Sequence, residues 1–197
     1  DKPRASIMVC AELTASHRAS GLVSAGHSGA TMVASLWYLK RLPGVLRPAI
    51  AVSVPTPKGH TVLLDVGANT ECKPWHLLQF AAMGTLYSRH VFNVAGPSVG
   101  ILSVGEEESK GNDLVREAIP LLKASGLNFY GPVEGRDITA GTTDVVVCDG
   151  FVGNIAVKLI EGVASSIFNF LKSEIRSNHF YKAGGLILRG PFNKLKK

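Results

Sequence analysis

The stretch Thr61-Val62-Leu63-Leu64-Asp65-Val66-Gly67-Ala68-Asn69 decides the fold of this chain of 197 residues. Its first four residues are apolar or β-branched without a polar face, which is typical of a strand buried between helices in a parallel sheet. The aspartate, glycine and asparagine that follow are typical of the turn at the carboxyl end of such a strand. Comparable runs predict strands at residues 21–24, 49–54, 61–65, 99–104, 128–130 and 144–148.

Helical patterns lie between most of these runs. Apolar residues at three- and four-residue spacing predict helices at residues 6–17, 29–41, 74–88, 113–124 and 153–176. Strands that alternate with helices, and that are apolar on both faces, require helices on each side of a mainly parallel sheet. The sequence therefore predicts an α/β protein.

The composition excludes several classes of protein. A hydrophobic fraction of 46% is enough for a sizeable core, so we do not expect a disordered chain. No uninterrupted apolar run approaches the roughly 20 residues that span a bilayer, so the sequence predicts that the chain does not cross a membrane. The cysteines Cys10, Cys72 and Cys148 are odd in number and lack zinc-ligand spacing, which favours a reducing cytosol.

The net charge of +6 lies at the carboxyl end of the chain. Residues 1–171 carry equal numbers of cations and anions, whereas seven cations and only one anion, Glu174, lie from Lys172 onward. Aromatic and aliphatic residues interleave with these cations, which is typical of contact with an acidic partner or an anionic membrane surface and less suited to nucleic acid. The alternative is a solvated helix end that packs on the fold or on a second subunit. We therefore divide the chain into a domain at 1–176 and a basic, amphipathic tail at 177–197.

Glycine and polar residues cluster where the predicted strands end, in loops at residues 24–29, 65–69, 105–112, 133–137 and 149–154. Ligands of parallel sheets gather at the carboxyl ends of the strands, where free amides and helix dipoles favour anions. None of these loops has the Walker or dinucleotide-binding spacing, which disfavours nucleotide hydrolysis and a Rossmann dehydrogenase. We predict that the five loops line one anion-binding rim.

Several side chains in these loops are candidates for binding phosphate or an oxyanion. The first loop combines glycines with hydroxyl groups, a composition that suits phosphate and also a plain strand-to-helix turn. Lys110 and Arg136 are isolated cations that suit an oxyanion, or alternatively ordinary surface charges. The amides Asn69, Asn112 and Asn154 are oxyanion donors or loop caps. The candidates for substrate and phosphate binding are Ser24, Gly26, His27, Ser28, Gly29 and Asn112.

Asp65 and Asp149 each follow an apolar strand. Two carboxylates at one rim suit a divalent metal or acid–base catalysis, and they equally suit caps for the turns that follow them. We favour the capping role for Asp65. The histidines are scattered without ligand spacing, so the sequence predicts no metal site.

Taken together, these loops resemble those of the PlsX family, the bacterial phosphate acyltransferases of phospholipid synthesis. The resemblance covers about residues 18–176 in one order and register. Family members have an opening strand that this chain lacks, and the chain begins at Asp1 without an initiator methionine, so we expect it to be part of a longer protein. The matching blocks are SAGHSGA (24–30), LDVGAN (64–69), QFAAMG (79–84), GEEESKGN (105–112), EGRDI (134–138) and VCDGFVGN (147–154).

The resemblance implies an enzyme that moves a fatty acyl group from acyl-carrier protein to inorganic phosphate, and so makes acyl-phosphate for a glycerol-phosphate acyltransferase. It implies a three-layer α/β/α fold of the isocitrate/isopropylmalate dehydrogenase type and a homodimer. The resemblance also implies a cytoplasmic protein that associates peripherally with the membrane, and no cofactor or metal is expected. From the chemistry of the loops, the candidate catalytic residues are Lys110, Arg136, Asn154, Asn69 and Asp149.

Three other functions stay open at this point. Transfer from a coenzyme A thioester, as in phosphotransacetylase, needs the same anion-binding rim. Oxidative decarboxylation on the same fold needs a nicotinamide and a divalent metal, for which the sequence shows no clear site. A non-catalytic, peripheral membrane adaptor would bind acyl-carrier protein through the basic tail alone.

Overall fold

The computed structural model describes residues 5–178 and Tyr181. Helices and strands alternate along most of these residues, as an α/β protein requires. The helices are α1 (Ser6–Ala15), α2 (Ser28–Tyr38), α3 (Pro74–Val91), α4 (Asp113–Lys123), α5 (Gly135–Ala140) and α6 (Gly150–Ser177). The strands are β1 (Ala51–Thr56), β2 (Gly59–Leu64), β3 (Ser98–Leu102), β4 (Asn128–Val133) and β5 (Val145–Val147).

The chain divides into two compact units, Asp1–Ile155 and Ala156–Lys197. The first unit holds the strands, the helices from α1 to α5 and the first turn of α6, and the second unit holds the rest of α6. Most of the predicted tail, and residues 1–4, lie outside the described residues. The predicted boundary between a domain at 1–176 and a tail at 177–197 therefore stays a prediction.

One five-stranded sheet forms the centre of the first unit, in the order β1-β2-β5-β3-β4. The strands β2, β5, β3 and β4 are parallel, whereas β1 pairs with β2 in an antiparallel hairpin. The prediction of an α/β protein with a mainly parallel sheet is confirmed. The isocitrate/isopropylmalate dehydrogenase type of fold stays a prediction.

The main core lies between this sheet and the helices α3 and α4. Phe80 of α3 and Leu122 of α4 are fully buried in it. Because side chains alternate between the two faces of a strand, Leu63 and Val146 lie on the opposite face, and they are fully buried as well. Burial on both faces explains the uninterrupted apolar runs. The strand residues of the main core are Val62, Leu64, Val99, Ile101, Val145 and Val147.

Two elements differ from the sequence prediction. The strand predicted at 21–24 is wrong: these residues form no strand, and the side chain of Val23 is 98% exposed. A strand needs a partner for its backbone amides and carbonyls, and none of the described strands pairs with this segment. The helix α5 was missed because its six residues are too few to show a helical period.

Helix α6 is long and apolar on average, although none of its uninterrupted apolar runs is long. It has 28 residues, and an 18-residue stretch of it has a mean hydropathy of 1.4, which is enough to cross a membrane by length and composition. Lys158 and Glu161 interrupt its apolar runs, so no single run is long although the average stays apolar. One such helix is a weak indication of a membrane span, but the argument from uninterrupted runs does not by itself exclude one.

Candidate functional site

Four of the predicted loops lie at one edge of the sheet. The strands β2, β5, β3 and β4 run parallel, so their carboxyl ends meet at this edge. The loops that follow them are those at 65–69, 149–154, 105–112 and 133–137. Helices α4, α5 and α6 begin in or just after these loops, so their amino-terminal ends lie at the same edge.

The carboxylate of Asp65 organises the loop after β2. It is fully buried, and its Oδ1 accepts hydrogen bonds from the amides of Ile50, Gly67 and Ala68 at 3.0, 3.2 and 3.0 Å. Its Oδ2 accepts the backbone and side-chain amides of Asn69 at 2.7 and 2.8 Å. A buried carboxylate needs such donors to replace its lost hydration. The predicted capping role of Asp65 is confirmed, and these bonds fill the capacity that a metal would need.

Two asparagine side chains lie at this loop, and only that of Asn69 is hydrogen-bonded to the described residues. Asn69 is buried, and its Nδ2 donates to Asp65 Oδ2 at 2.8 Å and to the carbonyl of Pro48 at 2.7 Å. Asn154 lies on the first turn of α6 beside Gly67, and its side-chain amide makes no hydrogen bond to any described residue. Asn154 is therefore the amide that is free to meet an oxyanion.

Two glycines let α6 pack directly on the 65–69 loop. A Cβ on Gly153 would lie 1.9 Å from the carbonyl oxygen of Asp65. A Cβ on Gly150 would lie 2.8 Å from the carbonyl oxygen of Asn69, to which the Gly150 amide donates at 2.7 Å. Only glycine fits positions that approach another backbone this closely.

Asp149 is placed as the cap of α6. Its Oδ1 accepts hydrogen bonds from the amides of Phe151 and Val152 at 2.9 and 3.0 Å. The amides of Gly150 and Gly153 are also satisfied, by the 65–69 loop and by the Asp149 carbonyl. Because these first amides are used and the cap is itself anionic, this helix end does not favour phosphate.

A cavity of about 190 Å³ opens beside these helix ends, at the carboxyl ends of β3 and β5. Its wall is mostly apolar, with polar groups from Ser103, Asn112 and Asp149. The sequence pattern did not predict this cavity, although its residues lie in or next to the predicted loops. The apolar residues of the wall include Leu77, Leu102, Leu114, Val115, Cys148 and Val152.

Asn112 and Lys110 lie at the start of α4 beside this cavity. Asn112 lines the cavity and caps the helix, since its Oδ1 accepts a hydrogen bond from the amide of Val115 at 3.0 Å. Lys110 lies in the same loop, one residue before the cavity-lining Gly111. The Lys110 side chain is exposed, and its ammonium pairs with no acidic group among residues 5–178. It is therefore available to an anion near the amino-terminal end of α4.

Arg136, in contrast, is already paired. Its Nη2 lies 3.1 Å from Glu106 Oε1 and 3.3 Å from Glu134 Oε2. Arg136 and Glu106 are largely exposed, so their pair adds little to stability, whereas Glu134 is partly buried. Burial raises the pKa of the neighbouring Asp137, but hydrogen bonds from Thr142 and the Glu134 amide, with the charge of Arg136, outweigh burial and hold that pKa below its usual value. The arrangement ties the loops after β3 and β4 together.

The first predicted loop lies in a different hollow. His27 caps α2 by accepting a hydrogen bond from the amide of Ala30 at 3.4 Å, and Ser24 Oγ accepts one from the amide of Gly26 at 3.1 Å. Ser24, Gly26 and His27 line a hollow of about 460 Å³ together with residues of α1. This hollow shares no lining residue with the cavity beside α4. The structure thus places four predicted loops at one edge, and residues of the loops at 105–112 and 149–154 line the cavity there. The first loop lines a different hollow.

Two cysteines beside the site carry unreactive thiols. Burial raises the pKa of Cys72 to about 11, with the charges of Asp65 and Asp149 adding to the effect. Burial likewise raises the pKa of Cys148, again with Asp149 and Asp65. Both thiols stay protonated near neutral pH and are poor nucleophiles. Cys148 therefore forms part of the cavity wall and is not a candidate acyl acceptor.

The whole chain, residues 1–197, matches the family described as Fatty acid synthesis protein. The chain belongs to this family. Phosphate acyltransferases of Elusimicrobium minutum and Geotalea daltonii, both similar to it, are 54% and 52% identical over 196 residues. The matches cover 100% of this member of the family but only 58% and 57% of those relatives. The predicted resemblance to the PlsX family is confirmed, and the chain spans less than two thirds of the length of these relatives.

Solved structures support the fold of this family member. The EutD phosphotransacetylase from Staphylococcus aureus matches 81% of the chain with a TM-score of 0.61 and 21% identity, over 56% of its own length. A branched-chain phosphotransacylase from Enterococcus faecalis V583 matches 77% of the chain with a TM-score of 0.53 and 16% identity, over 62% of its own length. At such low identity, these likenesses support the fold and not the activity.

Proposed function

We propose that the intact protein transfers a fatty acyl group from acyl-carrier protein to inorganic phosphate and releases acyl-phosphate. The observation that carries this proposal is an apolar cavity at the carboxyl ends of the strands, next to a loop with a cation, Lys110, that has no partner among the described residues. An apolar cavity suits an acyl group, and an ammonium near a helix amino-terminus suits phosphate. The relatives named phosphate acyltransferase support the same activity.

In the proposed reaction, a phosphate oxygen attacks the carbonyl carbon of the thioester. The new carbon–oxygen bond forms, the carbon–sulfur bond breaks, and the departing thiolate takes up, through water, the proton that the phosphate group gives up. Much of the phosphate is already the dianion near neutral pH, so the protein's main task is placement, which lowers a barrier by about 7–11 kcal/mol when it is complete. Lys110 and the first amides of α4 would hold phosphate, and Asn154 is the candidate donor to the oxyanion.

The loop at 24–29 is the second candidate for phosphate binding. Ser28 and Gly29 begin α2, and helix starts present free amides to an anion. The hollow that this loop lines shares no residue with the apolar cavity, whereas Lys110 lies in a loop that lines the cavity. We therefore assign the reacting phosphate to Lys110, and the roles of Ser24, Gly26, His27, Ser28 and Gly29 stay predictions.

The test is phosphate-dependent formation of acyl-phosphate, trapped with hydroxylamine, by the intact protein. We expect Lys110→Ala to lower kcat/KM for phosphate by about tenfold to a hundredfold, the usual effect of losing one charged hydrogen bond. Arg136→Ala is the matched control. It should change kcat/KM for phosphate less than about threefold, because Arg136 already pairs with Glu106 and Glu134. The reverse ranking would contradict the assignment of Lys110, and no phosphate-dependent product at all would contradict the function.

The same assay separates the other candidate functions. Acyl-carrier protein is acidic, so the rate of acyl transfer from it should fall steeply with added salt. The rate of transfer from a coenzyme A thioester of the same acyl chain should depend less on salt. Faster turnover of the coenzyme A thioester at low salt would favour that donor instead. A non-catalytic adaptor would bind carrier protein and vesicles without turnover.

We also propose that the protein is cytoplasmic, forms a homodimer and contacts the membrane peripherally, where a glycerol-phosphate acyltransferase would take up the product. Large apolar side chains that are exposed along α6 support a further contact of this helix, and Leu159 and Phe170 are each 64% exposed. Such exposure suits a second subunit or a membrane surface. The basic tail supports an anionic surface.

A further inference from the structure

The cavity beside α4 bears on which acyl groups the protein accepts. Its volume of about 190 Å³ is below the roughly 300–1,000 Å³ of sites that enclose whole drug-sized ligands. It therefore has room for only a short stretch of a fatty acyl chain. We propose that this cavity binds the acyl carbons next to the thioester carbonyl and that Leu114 sets its width, so that it selects against branching near the carbonyl. The proposal rests on the proposed function.

The walls come from separate elements that packing holds in place. Leu77 of α3 is fully buried, whereas Val152 at the start of α6 is 38% exposed. Leu114, at the start of α4, is partly buried against the core and lines the cavity as well. Packed interiors change shape little, so the size of the side chain at position 114 fixes the width of the cavity.

One polar atom at the wall lacks a partner. The hydroxyl oxygen of Ser103 is buried and makes no hydrogen bond within the described residues, and Ser103 lines the cavity. A buried hydroxyl without a partner costs free energy and calls for an explanation. Rotation about the Cα–Cβ bond lets this hydroxyl donate into the cavity. The carbonyl oxygen of a bound acyl group supplies the acceptor, and it is the one polar atom of that part of the ligand.

The first arm of the test compares three thioesters with the intact protein: octanoyl, its α-methyl derivative and its terminally branched isomer. Leu114→Ala should raise kcat/KM for the α-methyl substrate relative to octanoyl by about fourfold or more, the value of burying one methyl group. The terminally branched substrate should follow octanoyl, because its branch lies beyond the cavity. Leu121→Ala is the matched control on α4, since Leu121 does not line the cavity. If the Leu114→Ala variant is active but its ratio of kcat/KM for the α-methyl substrate to kcat/KM for octanoyl is unchanged, the inference is overturned.

The second arm is Ser103→Ala. We expect kcat/KM to fall about tenfold for all three thioesters alike, while the thermal midpoint does not fall, because the variant removes an unpaired buried hydroxyl. A purely structural role for Ser103 would lower the midpoint and spare the rate, and that result would overturn the role of the hydroxyl.

A binding measurement separates failure of this inference from failure of the proposed function. Octanoyl-pantetheine is titrated by calorimetry without phosphate, so no turnover is needed. Weaker binding by Leu114→Phe than by Leu121→Phe supports the acyl site even if no acyl-phosphate forms. Equal binding by the two variants would overturn the acyl site even if acyl-phosphate does form.

Discussion

Gly153 occupies a position where the site leaves no room for a side chain. A Cβ there would lie 1.9 Å from the carbonyl oxygen of Asp65, far inside any real carbon–oxygen contact. The glycine thereby lets the first turn of α6 rest directly on the backbone that follows β2. The placement of Asn154, the next residue, depends on this contact.

Gly153→Ala is therefore expected to destabilise the protein. Forcing an extra methyl group into a packed position should lower the free energy of unfolding by about 1–3 kcal/mol, measured by denaturant titration. Gly162→Ala is the matched control on the same helix, because nothing lies within 4 Å of its Cβ. The free energy of unfolding of that variant should rise by up to about 1 kcal/mol, since alanine is the better helix former. A Gly153→Ala variant as stable as the parent chain would contradict the close packing of α6 on the loop.

At the scale of single elements, the start of α3 carries a pH-dependent cap. The Nδ1 atom of His76 accepts a hydrogen bond from the backbone amide of Lys73 at 3.1 Å, which it can do only while Nδ1 is unprotonated. Burial lowers the pKa of His76, and the positive charges of Arg47 and Lys73 lower it further. The folded state thus favours the neutral imidazole.

This cap predicts loss of stability in mild acid. The pKa of His76 is lower in the folded state than its unfolded value of about 6.5, so stability is complete above that pH and falls as pH drops toward the folded-state pKa. The slope for one proton cannot exceed about 1.4 kcal/mol per pH unit. Denaturant titrations across this pH range should show a smaller slope for His76→Gln than for the control His90→Gln, which changes an exposed residue of α3. Identical slopes for the two variants would contradict the cap.

The elements that could be predicted from sequence are those whose local pattern agrees with their packing. Residues 61–64 of β2 and all of β5 are apolar or β-branched and buried on both faces, so the sequence pattern predicted these strands. The sequence pattern did not predict the direction of β1. That direction depends on the two-residue turn at Pro57 and Lys58, which allows only antiparallel pairing. A strand at 21–24 was predicted from composition alone, whereas a strand also needs a partner.

The candidate site shows the same division. That four loops share one edge follows from parallel strands and could be predicted. Which side chains are free could not, because their partners are remote in sequence: Asn69 meets Pro48, and Arg136 meets Glu106. The cavity could not be predicted from the sequence for the same reason, since its wall combines residues of three helices and two strand ends.

At the scale of the whole molecule, charge and apolar surface are concentrated at the carboxyl end. Residues 1–171 are balanced in charge, and the net charge of +6 comes from the residues after them. The helix α6 lies directly before most of these cations and carries exposed apolar side chains such as Phe170 and Leu171. Apolar groups and cations together are what binding to an anionic membrane surface requires.

Deletion of residues 177–197 tests this arrangement, because it removes five cations, Lys182, Arg189, Lys194, Lys196 and Lys197. Each cation near an anionic surface contributes about 1 kcal/mol, so sedimentation with phosphatidylserine vesicles should show a loss of binding of at least tenfold. A variant that keeps residues 177–197 but has Lys194, Lys196 and Lys197 changed to Gln separates charge from apolar contact, since it should lose binding to anionic vesicles while its thermal midpoint stays the same. If both proteins bind as the parent does, the tail packs in the fold or in a subunit interface, and membrane contact through these cations is wrong.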